Sequence, residues 1–261
     1  MESLKILFVG NSFAIDTMEH SANVSLSLGI KKINFGVLYV GGCSIENHYK
    51  NAVGDTRAYE YHTNNGDGWT SRGGASISEA ILSEHWDWIV IQHGTGGTAR
   101  YTSNECYEKL APLVAYIKKI ANNDARIAFN LTWMGEPTYQ RHEIISYNGN
   151  VSLMRKILEK VTAEMVLTCP LIDKLTPTGT AIENARTSNI GLLTRDGYHL
   201  SLDKGRFIAS LTFICSITGI DPDKINWTPL GVDEFARAVA IESAKNAIKN
   251  PLTITPSKYN F

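Results

Sequence analysis

Apolar residues in this chain fall into two alternating patterns. Short runs at Ile6–Val9, Ile33–Val40, Trp88–Gln92, Ile127–Leu131 and, more weakly, Met165–Thr168 have the length and the β-branched and aromatic content of strands. Between them, helical spacing predicts helices over about residues 17–28, 76–84, 104–122 and 143–163. After the last run come a segment at 171–185, a helix over Ser201–Thr218 with Ser201 as candidate N-cap, and a helix over 231–249. Such alternation predicts an α/β fold, a three-layer sandwich with five parallel strands and helices on both faces.

One region breaks the alternation. Residues 58–74, "AYEYHTNNGDGWTSRGG", hold two aromatic-containing runs around an Asn-Asn-Gly-Asp-Gly turn, which signals a β-hairpin. It is expected as an excursion from the sheet, rimming a cleft. No repeat, low-complexity tract or linker divides the chain, so residues 1–261 are read as one domain, with 219–261 forming a final helix and a surface-hugging tail.

Composition narrows the function classes. With 25 Lys and Arg against 26 Asp and Glu, a net charge of −1 and 43% hydrophobic residues, nothing recruits nucleic acid or an acidic membrane surface. Cys43, Cys106, Cys169 and Cys215 are scattered, with no CxxC pair and no His at zinc-ligand spacing, so free thiols and no metal are expected. The first apolar run is too short for a signal peptide, and the eleven residues Phe207–Ile217 cannot cross a bilayer. A cytoplasmic chain is expected, or an exported one if a signal has been removed.

Ligands of open α/β sheets bind beyond the carboxyl ends of the strands. Those positions hold Gly10-Asn11-Ser12, Gly41-Gly42-Cys43-Ser44, Gln92-His93-Gly94-Thr95-Gly96-Gly97, then Asn130 and Trp133, while "TRDGYHLS" at 194–201 precedes the late helix. Ser12 alone reads as a helix cap or turn former as readily as a nucleophile. Glycine turns without a GxGxxG, a GxxxxGK[ST] or an adjacent Lys or Arg argue against a dinucleotide or phosphate site, and no cofactor is expected. Asp196 and His199, three apart beside Gly197, change the balance. A nucleophilic serine needs a base to take its proton and a third group to fix that base's tautomer. Ser12, His199 and Asp196 supply that set.

These residues carry a family resemblance. "FVGNSF" resembles the first block of the SGNH (GDSL-type) hydrolase superfamily, the glycines of "VGG" resemble its second, and "DGYH" resembles its closing Asp-x-x-His. Gly-Asn-Ser-Phe with a Trp-Asp-x-(apolar)-x-Gln strand and Asp-Gly-x-His is similar to a subgroup, the DUF4886 proteins, which are associated with carbohydrate acetylesterases. The resemblance spans residues 4 to about 218. It implies a flavodoxin-like fold and ester hydrolysis with Ser12 as nucleophile, His199 as base and then acid, and Asp196 orienting His199. The implied oxyanion hole uses the N–H groups of Ser12 and Gly42 and a side-chain amide. Gly96 stands where that family carries the asparagine donor, so Gln92 is the expected replacement and Asn130 the alternative.

His93, Asn130, Trp133 and Tyr198 are candidate substrate contacts; His20, Trp69, Tyr101, Glu136 and Asp16 are weaker ones. The expected partner is a small-molecule or carbohydrate ester. A weakly active or inactive carbohydrate-binding relative is the competing expectation.

Overall fold

The computed structural model describes residues 1–94, 107–122, 124–136, 139 and 150–261. In chain order the strands are β1 (Ser3–Gly10), β2 (Lys32–Tyr39), β3 (Tyr59–Asn64), β4 (Thr70–Ala75), β5 (Trp88–Gln92), β6 (Arg126–Asn130) and β7 (Lys174–Thr176). They form one sheet in the order β4-β3-β2-β1-β5-β6-β7, with β2, β1, β5, β6 and β7 parallel. The helices are α1 (Ser12–Met18), α2 (Ser21–Ser27), α3 (Ile45–Val53), α4 (Ile77–Leu82), α5 (Leu110–Ile120), α6 (Val151–Val161), α7 (Thr178–Arg186), α8 (Lys204–Thr218) and α9 (Glu234–Lys249).

Strand periodicity explains the three layers. Side chains alternate across a strand, and β1 sends Leu4, Ile6 and Phe8 into a core shared with α1, α2, α8 and α9. Its intervening Leu7 and Val9 enter the opposite core, with residues of α3, α4 and α5. Strand β5 divides the same way, Trp88 and Val90 to one side, Ile89 and Ile91 to the other. Burying each such side chain contributes about 1.5–3 kcal/mol, which explains why these strands read as unbroken apolar runs.

Three expectations are corrected. The hairpin at 58–74 is no excursion: β3 pairs antiparallel with β2 from Phe35↔Asn64 to Tyr39↔Glu60, and β4 extends the sheet beyond it. Met165–Thr168 is not a strand, because the helical chain of α6 runs on as a π-helical turn over Thr162–Val166; the fifth parallel strand is β7, from the segment placed at 171–185. The helix predicted from Ser201 starts at Lys204, capped by Asp203, while Ser201 Oγ accepts from the Gly205 N–H. Parts of the expected helices 104–122 and 143–163 lie outside the described residues.

Tail residues lie along α7, where Thr255 N–H donates to Asn184 Oδ1 at 2.7 Å. Among the described residues no helix is long and apolar enough to cross a membrane. Cys43, Cys169 and Cys215 are buried free thiols; Cys106 lies outside the described residues.

Candidate active site

The chain runs from β1 outward to β4, then returns to β5 on the other side of β1, so the strand order reverses beside β1. A crevice at that reversal is where an open α/β sheet binds its ligand. Ser12 stands there, two residues past the end of β1 and at the first position of α1. Asn11 is the N-cap: its Oδ1 accepts from the Phe13 N–H at 3.1 Å and its carbonyl accepts from Ala14 and Ile15. The asparagine, not the serine, therefore satisfies the open helix end. The Ser12 side chain is thus not needed as the cap, and its Oγ faces His199.

Gly10 makes this turn possible. A Cβ at Gly10 would lie 2.7 Å from that of Ala14 and 3.1 Å from Gln92 Nε2, so only glycine lets α1 start so close to β5.

His199 brings its Nε2 to 2.9 Å from Ser12 Oγ, and its Nδ1 to 2.6 Å from Asp196 Oδ2. Asp196 Oδ1 accepts from the Tyr198 and His199 N–H groups at 2.9 and 2.7 Å, so the turn that presents the base also orients the carboxylate. Burial pushes the Asp196 carboxyl up, but the His199 ring N–H and these two backbone donors outweigh it and bring it down to about 2. An ionised Asp196 accepts a hydrogen bond from Nδ1–H, which keeps the proton on Nδ1 and leaves the Nε2 lone pair for Ser12.

An aromatic stack holds the pair in place. Phe13, next to Ser12, has the rings of Trp133 and Tyr198 at 4.5 and 4.8 Å, both tilted against its own, and Tyr139 stacks on Tyr198 at 5.2 Å. Trp133 Nε1 donates to the Tyr198 carbonyl at 2.8 Å, and the Tyr198 ring meets His199 edge-on at 5.4 Å.

Gly42, past β2, is exposed and holds φ +63°, a backbone conformation that favours glycine. The loop is tied to the start of α1 by Asn11, whose Nδ2 donates to the Cys43 carbonyl at 3.1 Å.

Gln92, the expected oxyanion donor, ends β5. Its side chain is wholly buried, and its Nε2 donates to Asn11 Oδ1 at 2.8 Å. Asn130, the alternative donor and a candidate substrate contact, is buried as well: its Oδ1 accepts from the Thr176 and Thr178 hydroxyls, and its Nδ2 donates to Gln92 Oε1 at 3.4 Å. Thr178, Asn130, Gln92, Asn11 and the Cys43 carbonyl thus form a buried polar belt across the strand ends. Its members are satisfied by one another, which makes them rigid supports for the site.

Other candidates move too. Trp133 is fully buried, so it supports the stack instead of touching substrate. His93 is buried at 3% exposure against Tyr107, and burial lowers its pKa to about 4. His20 gives its ring to the Leu202 carbonyl, and Trp69 donates to the Glu19 carbonyl. Glu136 is engaged by Arg186 and Thr194. Tyr198, half-buried beside His199, is the candidate substrate contact that stays at the site. Gly96 and Tyr101 lie outside the described residues. The belt was missed at the sequence level; its signal is a polar residue ending each of β5 and β6, Gln92 and Asn130, in otherwise apolar strands.

Residues 5–247 match the family described as Domain of unknown function (DUF4886). The chain belongs to the DUF4886 family. A solved DUF4886 family protein from Bacteroides uniformis ATCC 8492 superposes with a TM-score of 0.93 at 30% identity, covering 100% of both chains. Other matches include a catalytic mutant of Axe2, an acetylxylan esterase from Geobacillus stearothermophilus, at TM-score 0.49 and 14% identity over 82% of this chain and 95% of that one. A GDSL-like lipase from Bacteroides thetaiotaomicron VPI-5482 matches at TM-score 0.44 and 10% identity over 95% and 88%. No curated protein matches the chain. The chain has the three-layer α/β/α architecture expected from its sequence, with helices packed on both faces of the sheet.

Proposed function

We propose that this DUF4886 protein is a serine esterase that hydrolyses small acyl esters through an acyl-enzyme. The observation that carries the reading is the continuous chain Ser12 Oγ–His199–Asp196, at 2.9 and 2.6 Å, at the reversal point of the sheet. His199 Nε2 takes the Ser12 proton as Oγ attacks the ester carbonyl carbon. The Ser12 and Gly42 N–H groups receive the negative oxygen that develops. As the tetrahedral intermediate collapses, the C–O bond to the alcohol breaks and the His199 proton passes to the leaving oxygen. Water then gives a proton to His199 and attacks the acyl carbon, and the returned proton frees Ser12 with release of the acid. Throughout, the Asp196 carboxylate stabilises the imidazolium.

An O-acetyl group on a carbohydrate is the substrate we favour, on the resemblance to acetylesterases. A weakly active carbohydrate-binding relative is the second reading, favoured by the commitment of the Gln92 amide to Asn11; losing one oxyanion donor costs about 10²- to 10³-fold in turnover.

The test is hydrolysis of an aryl acetate by the wild type and by Ser12→Ala, with fluorophosphonate labelling of both. Turnover and label are expected in the wild type and absent in the variant. Equal rates, with no label on Ser12, would reject the esterase reading.

A further inference from the structure

Asp16 lies one helical turn beyond Ser12 on α1, and its carboxylate is completely buried. Oδ1 accepts from Arg195 Nη1 at 2.9 Å and from Arg206 Nε at 2.8 Å, while Oδ2 accepts from the Leu200 N–H at 2.9 Å. Arg195 immediately precedes Asp196, and Leu200 immediately follows His199. One carboxylate therefore grips both flanks of the segment that carries the base and its orienting group.

That segment is closed on itself. Thr194 and Leu200 form an antiparallel bridge, Arg195 N–H donates to the His199 carbonyl at 2.9 Å, and Arg195 Nη1 also donates to the Leu200 carbonyl. A closed loop moves as a unit, so fixing its two ends fixes the ring of His199. Arg206, on α8, adds an ion pair to Glu19 at 3.2 Å, joining α1 to the helix that follows the loop.

We propose that Asp16 is the positioning residue that sets the register of His199 against Ser12; this rests on the esterase reading above. A buried charge is costly to hold even when paired. Here its partners are the two residues bracketing Asp196–His199 and the first turn of α8, so its cost is offset by geometric definition of the site. The Asp16 carboxylate touches neither Ser12 Oγ nor the His199 ring and acts through the loop.

The experiment compares the wild type, Ser12→Ala, Asp16→Asn, Arg195→Gln and Leu113→Ala on an aryl acetate, with fluorophosphonate labelling rates and thermal melts. Leu113 is a buried residue of α5, across the sheet from the site, and its truncation reports on lost stability alone. Asp16→Asn keeps the side chain's shape but replaces an acceptor with an amide donor facing two guanidinium groups. A small misplacement of reacting groups costs about 10²-fold, so Asp16→Asn is expected to lose about that much in kcat with KM within twofold, and its labelling rate to fall in the same ratio. Arg195→Gln, at a side chain already 36% exposed, is expected to fold and to lose about tenfold in kcat, again without a KM change. It carries the test if Asp16→Asn does not fold. Leu113→Ala is expected to melt lower with kcat unchanged.

Wild-type turnover by Ser12→Ala would reject the esterase reading itself. An inactive Ser12→Ala beside clamp variants with unchanged kcat, or with the loss in KM, or with a loss matched by Leu113→Ala, would overturn the positioning role and leave the esterase reading standing.

Discussion

His199 Nε2 faces Ser12 Oγ at 2.9 Å although 187 positions separate the two residues in the chain. Helix α1 and the 194–200 loop meet only through tertiary contacts, so the pair reports on the whole arrangement between them.

Asp196→Asn preserves shape while removing the charge that accepts a hydrogen bond from Nδ1–H. The ring is then free to take the tautomer with Nε2 protonated, and turnover is expected to fall by about 10⁴-fold. Steady-state hydrolysis of an aryl acetate checks this, with labelling of Ser12 expected to slow in parallel.

Asn11 and Gln92 form the middle of the buried belt. Asn11→Ala removes an N-cap worth about 0.5–2 kcal/mol and also frees the Cys43 carbonyl, so both the melting temperature and kcat are expected to drop. Gln92→Ala leaves Asn11 Oδ1 and Asn130 Nδ2 each short of a buried partner, at a cost of about 1–3 kcal/mol. Denaturant titration and turnover measured on the same preparations separate the two effects; a lost kcat at unchanged stability in Gln92→Ala would instead mark its amide as an oxyanion donor.

Phe13→Leu keeps the core filled but removes the ring that contacts both Trp133 and Tyr198. Such aromatic contacts contribute about 0.5–1.5 kcal/mol each beyond area burial. A lower melting temperature is expected together with reduced kcat, because Tyr198 backs the His199 ring.

Acid stability follows from two buried histidines, His48 and His93. Burial lowers His93 to about 4 and, with repulsion from His93, lowers His48 to about 3, against 6.5 when free. Between those limits the unfolded chain binds protons that the folded chain does not, so stability falls as pH drops from 6.5 toward 4 and flattens below about 3. His93→Phe is expected to shallow that decline in melts taken across the range. An unchanged slope would mean that other groups control it.

The sequence singled out Ser12, Asp196, His199 and Gly42 through short motifs that resemble family blocks, and the fold brings Ser12, His199 and Asp196 within hydrogen-bond distance of one another. The five parallel strands were legible except the last: three residues, Lys174–Thr176, carry too little pattern, while the more apolar Met165–Thr168 belongs to a helical continuation. The hairpin was legible as a hairpin but not as part of the sheet, since its pairing with β2 is a long-range choice that no local signal encodes. Side-chain burial was the least accessible layer. Gln92, Asn130, Trp133 and Asp16 are chemically capable residues close to strand ends, and only packing shows that each faces inward to hold neighbours in place.

The hairpin also decides how the sheet meets other molecules. Its outer strand, β4, reads Thr-Ser-Arg-Gly-Gly-Ala, exposed except at the last residue, and the opposite edge, β7, is three residues long. A polar, glycine-broken border on one flank and a short one on the other give a foreign strand little to pair with. Crowding should therefore drive few copies to zip together edge to edge, and deleting the hairpin would expose the long apolar border of β2 to that fate.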